Sequence, residues 1–113
     1  MASSSNITNR VVKNLGKIET TLVTTASNQK AACVGLSLAN LTQNTVRASI
    51  LIEDDNGDKG YYIKNLMIAP GSSARVINGG EKLLLAPNNT VSCICDTNNG
   101  LDAVFSLVVI TYT

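Results

Sequence analysis

The sequence contains no histidine and no tryptophan, and aromatic residues make up only 4% of its 113 residues. Without histidine the chain lacks the commonest general base and the Ser–His and Cys–His nucleophile pairs. The acids outside one loop are scattered one to an element, at Glu19, Glu81, Asp96 and Asp102. A two-carboxylate hydrolase is a minor alternative, but single acids on strands are more often solvated. We therefore expect a protein that is not an enzyme, with no catalytic residues.

Charge is also scarce. Charged residues are 15% of the chain, and nine basic against eight acidic residues leave a net charge of +1. Clustered Lys and Arg are needed to neutralise phosphates, so we expect no nucleic-acid partner. No apolar run reaches the ~20 residues of a membrane-spanning helix, and no signal peptide is visible at the start. We expect no membrane partner and synthesis in a cytosol.

Cysteine is present but does not form a recognisable framework. The three cysteines are Cys33, Cys93 and Cys95, an odd number without a Cys-x-x-Cys pair. This pattern favours small buried side chains over disulfides or a zinc site, and we expect no cofactor. Asn-x-Ser/Thr sequons occur at Asn6, Asn40 and Asn88, but without secretion they carry no meaning.

Small neutral polar residues take the place of charge. Asn, Thr and Ser together make up 34 of the 113 residues. They suit strand edges and tight turns, and apolar residues alternate with a period near two between turn signals. The sequence predicts an all-β fold, a single antiparallel β-sandwich of seven to eight strands, jelly-roll or immunoglobulin-like, with an N-terminal arm. The candidate strands are Lys17–Thr25, Lys30–Leu41, Thr45–Glu53, Gly60–Ile68, Ser72–Ile77, Glu81–Ala86, Thr90–Asp96 and Leu101–Tyr112.

Face patterns differ among these strands. Thr45–Glu53 and Thr90–Asp96 alternate as strands with one wet face each do. In Lys30–Leu41 we expect Ala32, Val34, Leu36 and Leu38 to share one face, with small residues on the other. The last strand, Leu101–Tyr112, is apolar on both faces, which fits either a subunit contact or internal burial.

The chain begins with a basic segment. Residues 1–17 are predicted to form an arm and residues 18–113 the sandwich; the near-helical apolar spacing of Asn9–Ile18 leaves a single turn or an extended arm open. Arg10, Lys13 and Lys17 could meet the acidic loop Glu53–Asp58 across a subunit interface, although a disordered start and a solvated turn are the simpler alternative. The candidate protein–protein contact residues are Arg10, Val11, Val12, Lys13, Leu15, Asp54, Asp55, Asp58 and Tyr61.

The acidic loop resembles a calcium loop only in part. Asp54, Asn56 and Asp58 alternate, but Lys59 stands where the loop glycine belongs and Asn65 where the bidentate glutamate belongs. The EF-hand reading fails and we expect no metal site, while a looser calcium site in this loop stays open. Turn signals also occur at Pro70-Gly71, Asn78-Gly79-Gly80 and Asn98-Asn99-Gly100.

Several of these segments together resemble a protein family. They are Tyr61-Tyr62-Ile63-Lys64-Asn65-Leu66-Met67-Ile68-Ala69-Pro70-Gly71-Ser72-Ser73, Ile77-Asn78-Gly79-Gly80-Glu81-Lys82-Leu83-Leu84-Leu85, Asn89-Thr90-Val91 and Leu101-Asp102-Ala103-Val104-Phe105-Ser106-Leu107. This pattern over about residues 30–112, and weakly Asn9-Arg10-Val11, is similar to small β-sandwich structural proteins of tailed bacteriophage virions. The Cys93-x-Cys95 pair departs from it.

The resemblance implies a non-enzymatic virion component, a capsid decoration (cement) protein or a neck or tail accessory. Its implied partners are copies of itself and the major capsid, neck or tail proteins of the same virion. It would be located in the virion and assembled in the bacterial host cytoplasm. A host-facing adhesion or receptor-binding module is the alternative.

Overall fold

The computed structural model describes residues 3–77 and 81–112, and every regular element in those ranges is a strand. The strands are β1 (Ser3–Leu15), β2 (Thr20–Thr24), β3 (Gln29–Asn40), β4 (Val46–Glu53), β5 (Lys59–Ile68), β6 (Ser73–Ile77), β7 (Leu83–Leu85), β8 (Thr90–Cys95) and β9 (Leu101–Tyr112). The eight candidate strands correspond to β2 through β9. The turn signal Asn78-Gly79-Gly80 lies outside the described residues.

The strands form two antiparallel sheets. Sheet A has the order β1-β9-β3-β6, with β7 also paired to β3, and sheet B has the order β2-β8-β4-β5. The pairs are nested along the chain: β4 with β5, β3 with β6 and β7, β2 with β8, and β1 with β9. Nested pairing that alternates between two sheets is the jelly-roll arrangement, whereas an immunoglobulin fold keeps consecutive strands in one sheet. The predicted β-sandwich is confirmed, with the jelly-roll topology.

The core lies between the two sheets. Val46, Ala48 and Ile50 of β4 face it together with Val91, Cys93 and Cys95 of β8, as the alternation predicts. From sheet A, Leu101, Ala103, Phe105 and Leu107 of β9 enter the same core and are almost completely buried. The three cysteines are free and buried, as expected from the sequence.

One strand changes face where the sequence predicts a single alternation. In β3, Ala31 and Cys33 face the core, and beyond a bulge at Val34 so do Leu36 and Leu38. The expectation that Ala32 and Val34 share a face with Leu36 and Leu38 is therefore wrong. An extra residue in one strand of a pair shifts the pleat by one position, and the sequence pattern carries no direct sign of it.

The outer face of sheet B is less exposed than predicted. Ser49, Leu51 and Ser92 point away from the core, yet all three are buried. The Glu19 carboxylate lies over this face. Its Oε2 atom accepts a hydrogen bond from Ser92 Oγ at 2.6 Å and forms an ion pair with Lys59 Nζ at 3.0 Å. Ser49 Oγ accepts a hydrogen bond from the Asn65 N–H at 3.0 Å. The expectation of one wet face for each of β4 and β8 is therefore wrong at these positions.

The N-terminal segment is extended, not helical. Residues 3–15 form β1 at the edge of sheet A and pair with β9 from Ser3 opposite Tyr112 to Leu15 opposite Leu101. The register shifts between Val12 and Leu15, where Asn14 takes a φ of 58°. Asparagine tolerates this left-handed conformation better than most residues, which suits it to the break.

Candidate functional site

The outer face of sheet A, which points away from the core, carries a row of apolar side chains. Register places Ile7 of β1 beside Val108 of β9, Val108 beside Ala32 of β3, and Ala32 beside Leu84 of β7. Ile7 and Leu84 at the two ends are 85% and 72% exposed. This row, the first ridge, crosses four strands without a charged or polar side chain.

A second ridge runs parallel to the first. Val11 of β1 lies opposite Val104 of β9, and both are exposed. Between the ridges the facing positions are small: Ser106 of β9 lies opposite Gly35 of β3. A shallow depression of about 290 Å³ opens there, lined by Val34, Gly35, Leu36, Ser37, Arg75, Ile77, Val104 and Ser106. The face therefore consists of two apolar ridges with a furrow between them.

Charged side chains lie at both ends of this face, and Arg75 of β6, opposite Ser37 of β3, lies beside the furrow. Lys30 lies opposite Ile110, two residues along β9 from Val108 of the first ridge. Its Nζ atom is 5.2 Å from the centre of the Tyr112 ring. At the opposite end, Asp102 Oδ1 accepts a hydrogen bond from the Asn14 N–H at 3.0 Å. Strands β1, β9 and β3 and the row made by the short β6 and β7, about 4.8 Å apart and spanning about ten residues, give the whole face an area on the order of 600 Å². A stable protein–protein interface buries about 800 Å² on each partner, so most of such an area is present on this one face.

The face explains the two-sided pattern of the last strand. One side of β9 fills the core, while Val104, Val108 and Ile110 on the other side are covered by no second layer of the described chain. Within one chain, internal burial of both sides is therefore excluded.

The predicted contact residues near the N-terminus lie on β1 and divide between its two faces. Val11 lies on the outer face, whereas Arg10 and Val12 point toward sheet B at the open edge of the sandwich, Arg10 exposed and Val12 half-buried. Lys13 is exposed. Leu15 is 2% exposed and belongs to the core of its own chain, so it has no free surface with which to contact a partner.

The other predicted contact residues lie in the acidic loop that joins β4 to β5 and at the start of β5. Asp54 Oδ1 accepts hydrogen bonds from the N–H groups of Asn56 at 2.9 Å and Asp58 at 3.1 Å, so this carboxylate shapes the turn. Asp55 and Asp58 are exposed. Tyr61 is also exposed, with Lys64 Nζ 5.1 Å from its ring centre.

These two groups are not brought together within one chain. Strand β1 borders sheet A on the side of β2 and β8, whereas β5 is the far edge of sheet B. A meeting of the basic segment with the acidic loop requires two copies, and it stays a prediction.

The groups whose pKa values are shifted owe the shifts to hydrogen bonds and burial within the fold. Hydrogen bonds from Ser92 and then Lys59 lower the pKa of Glu19, and the Arg47 N–H, donated at 3.0 Å, does the same for Asp96. Burial raises the pKa of the Cys33 and Cys93 thiols to about 12.

Over residues 3–77 and 81–112, no group of three or more Cys, Asp or Glu side chains could hold a metal ion. The same ranges contain no helix with the length and hydropathy to cross a membrane.

Sequence reasoning missed most of this face. Ile7 stands in a polar run, Ser3–Arg10, which carries no strand signal. Leu84 belongs to a continuous Leu83-Leu84-Leu85 run, in which the exposed member cannot be identified without the pairing to β3. The signal that pointed to the face was the apolar second side of Leu101–Tyr112.

No protein-family model matches the sequence, and no curated protein matches it. Solved structures do share its fold. A chain of the Bacillus endospore appendages, a family of disulfide-linked pili, has a TM-score of 0.54 at 11% identity, covering 98% of this chain and 90% of that one. A chain from the acid-stable capsid of Helicobacter pylori bacteriophage KHP30 has a TM-score of 0.52 at 13% identity, covering 99% and 98%.

A third similar structure is the infectious bursal disease virus Gx strain, with a TM-score of 0.52 at 11% identity. There the match covers 95% of this chain but 32% of the viral chain. At such identities the likeness establishes the β-sandwich fold.

Proposed function

We propose that this protein is a non-enzymatic structural subunit of a bacteriophage virion, a capsid decoration protein or a neck or tail accessory. It acts by binding copies of itself and the capsid, neck or tail proteins beneath it. The observation that carries the proposal is the uncovered outer face of sheet A, with its two apolar ridges. Exposed apolar patches of this extent mark interaction surfaces in soluble proteins.

The sequence resemblance favours a phage particle: the segments from Tyr61 to Leu107 resemble tailed-phage virion proteins. The fold is compatible with this assignment, since a phage capsid chain shares it over 98% of its length, and a pilus chain shares it as well. The location we propose is accordingly the virion, with assembly in the host cytoplasm.

The ridges and furrow suit a second copy of the same chain. A two-fold axis lying in the face and running across the strands reverses the strand direction and keeps each strand above its counterpart. That operation brings the Lys30 end of one copy over the Asp102 end of the other, so opposite charges meet at the margins. Since Ser106 lies midway between these two ends on β9, the same operation sets the first ridge of one copy against the second ridge of the other. Closed symmetric contacts of this kind are the commonest among homo-oligomers.

The mechanism is additive. Each contact buries modest area, and a shell or tube gains stability because many copies bind at once. The links between subunits are expected to be non-covalent, since Cys33, Cys93 and Cys95 are buried and unpaired in the folded chain.

Charge substitutions on the ridges test the proposal. Ile7→Lys and Leu84→Lys each place a charge on a ridge without removing a buried side chain, so the fold should persist while self-association and capsid binding are lost. Ile18→Lys is the matched control, because Ile18 is 81% exposed but precedes β2, away from this face. Light scattering coupled to size exclusion, and cosedimentation with capsids lacking this protein, give the readout. Unchanged assembly of both ridge variants contradicts the proposal.

A further inference from the structure

Up to Asn14, strand β1 contributes almost nothing to the core of its own chain. Of its residues from Ser3 to Asn14 none is buried, and only Thr8 and Val12 are half-buried. Its inward side faces an open cleft, lined by Asn6, Thr8 and Arg10 of β1 and by Val23 and Thr24 of β2. The strand is therefore held mainly by its backbone pairing to β9.

The chain becomes fixed abruptly at the last residue of β1. Leu15 is buried, and its carbonyl accepts a hydrogen bond from the Gly100 N–H at 2.8 Å. The Gly16 carbonyl accepts one from the Cys95 N–H at 3.0 Å, and the Lys17 N–H donates to Asn98 Oδ1 at 3.2 Å. The left-handed Asn14 and the register shift stand at the boundary between this anchor and the weakly buried strand.

We propose that β1 is exchanged between copies, so that in the assembled form residues 3–12 pair with β9 of a neighbouring subunit. The proposal rests on the proposed function, since it supplies the link between subunits of that assembly. Exchange replaces each β1–β9 hydrogen bond with an identical one, so the pairing itself is nearly neutral in free energy. The chain pivots at Lys13 and Asn14, and residues 15–112 keep their own contacts.

The length of β1 suits a neighbouring partner. Ten extended residues span about 33 Å. The two shorter dimensions of the subunit are 26 and 22 Å, so β1 swung outward reaches past the edge of its own subunit. Since none of its side chains from Ser3 to Asn14 is buried in its own subunit, detaching β1 loses little packing energy.

Thr111 provides a matched test, because it lies on β9 between Ser4 of β1 and Gln29 of β3. Ser4→Cys and Thr111→Cys are made in separate chains, one of them isotopically labelled, and the chains are mixed unfolded and then assembled together. Oxidation or a short bis-maleimide then captures neighbouring thiols, and mass spectrometry identifies the pair. Gln29→Cys mixed with Thr111→Cys is the control, because β3 is not exchanged.

We expect the Ser4–Thr111 pair to be captured between chains in most of the assembled material. The control pair should stay at background. Equal capture of the control pair overturns the exchange. A chain carrying both S4C and T111C reports folding, and N6C with V109C is a second pair should the first disturb the strand end.

The same double variant separates the two proposals. If it bridges only within itself in assembled particles, the exchange is wrong and the structural role stands. If the unsubstituted chain neither self-associates nor binds capsids, the proposed function is wrong, and a closed monomer overturns the exchange as well.

Discussion

The side-chain amide of Asn40 donates a hydrogen bond to the Ile68 carbonyl at 3.0 Å, joining the end of β3 in sheet A to the end of β5 in sheet B. The same amide nitrogen also lies 2.8 Å from the Asn44 carbonyl. Asn40 Oδ1 accepts from both the N–H and the hydroxyl of Thr42 at 2.8 Å. One buried side chain thus closes a corner of the sandwich, and the sequence shows it only as a glycosylation sequon.

Replacing Asn40 should destabilise the protein strongly. Asn40→Leu removes this donor from the buried Ile68 carbonyl, and a buried group left unsatisfied costs about 1–3 kcal/mol. We expect a loss of about 1–3 kcal/mol in the free energy of unfolding, measured by urea titration. Asn44→Ala is the control, since Asn44 contributes its backbone to this network. Equal stability of the two variants would contradict the assignment.

Glu19 should give the protein part of its acid sensitivity. Its pKa in the folded chain lies below its ordinary value of 4.5, because Ser92 and Lys59 bind the ionised carboxylate. A lowered folded pKa means that its stabilisation is complete above the unfolded pKa and is lost as pH falls through the folded one. In Glu19→Gln the melting temperature should fall less between about pH 6 and about pH 3 than in the unsubstituted chain. Glu81→Gln serves as the control, and parallel pH profiles for all three proteins would refute the prediction.

The three thiols should be unreactive in the folded protein. Burial raises the pKa of Cys33 and Cys93 to about 12 and also raises that of Cys95, so little thiolate is present at neutral pH. A chromogenic disulfide reagent should label no cysteine in native buffer and all three cysteines in denaturant. Rapid labelling of any thiol in native protein would show that the core opens there.

Gly100 should not tolerate a larger residue. A Cβ at this position would lie 2.7 Å from the Thr97 carbonyl oxygen and 3.4 Å from Cys95 Sγ. Gly100→Ala should lower the stability by about 1–3 kcal/mol through this overlap. Gly60→Ala, where a Cβ meets nothing within 4 Å, is the control in the same urea titration. A neutral Gly100→Ala would mean that the turn moves aside.

Truncations should separate assembly from folding. None of residues 3–12 is buried, so a chain without residues 2–12 should stay folded while its assembly is lost. Removing residues 2–17 also deletes Leu15, and emptying a buried leucine site costs about 2–5 kcal/mol. Thermal melts and light scattering of the two truncations check both effects. Intact assembly of the shorter truncation would exclude β1 from the subunit contact.

Most of the fold was predictable because two-sheet proteins bury alternate residues. The strands β2 to β9 follow from that alternation and from turn residues such as Pro70-Gly71, where Gly71 has a φ of 64° and Ser72 N–H bonds the Ala69 carbonyl at 3.2 Å. Strand β1 was not predictable in this way. Its side chains are exposed on both faces, so no period-two pattern exists, and its strand character comes from the edge of β9.

The candidate site was harder to predict for a related reason. An exposed apolar residue and a buried one look alike in a sequence, and only register identifies Ile7 and Leu84 as members of one ridge. The bulge at Val34 and the cover of Glu19 over Ser92 depend on contacts between residues far apart in the chain. Leu15 was predicted to contact a partner, because nothing in the sequence distinguishes a buried core leucine from one at an interface.

Ser3, the first residue of β1, lies directly opposite Tyr112, the last of β9. Any extension before Ser3 or after Tyr112 therefore leaves the closed subunit at one and the same corner of sheet A. A short peptide bridging that corner would circularise the chain, and new ends could then be opened in the Asp54–Asp58 turn. Such a permuted subunit could carry a guest peptide at the opposite edge of the sandwich, and its sealed corner would hold β1 on its own β9.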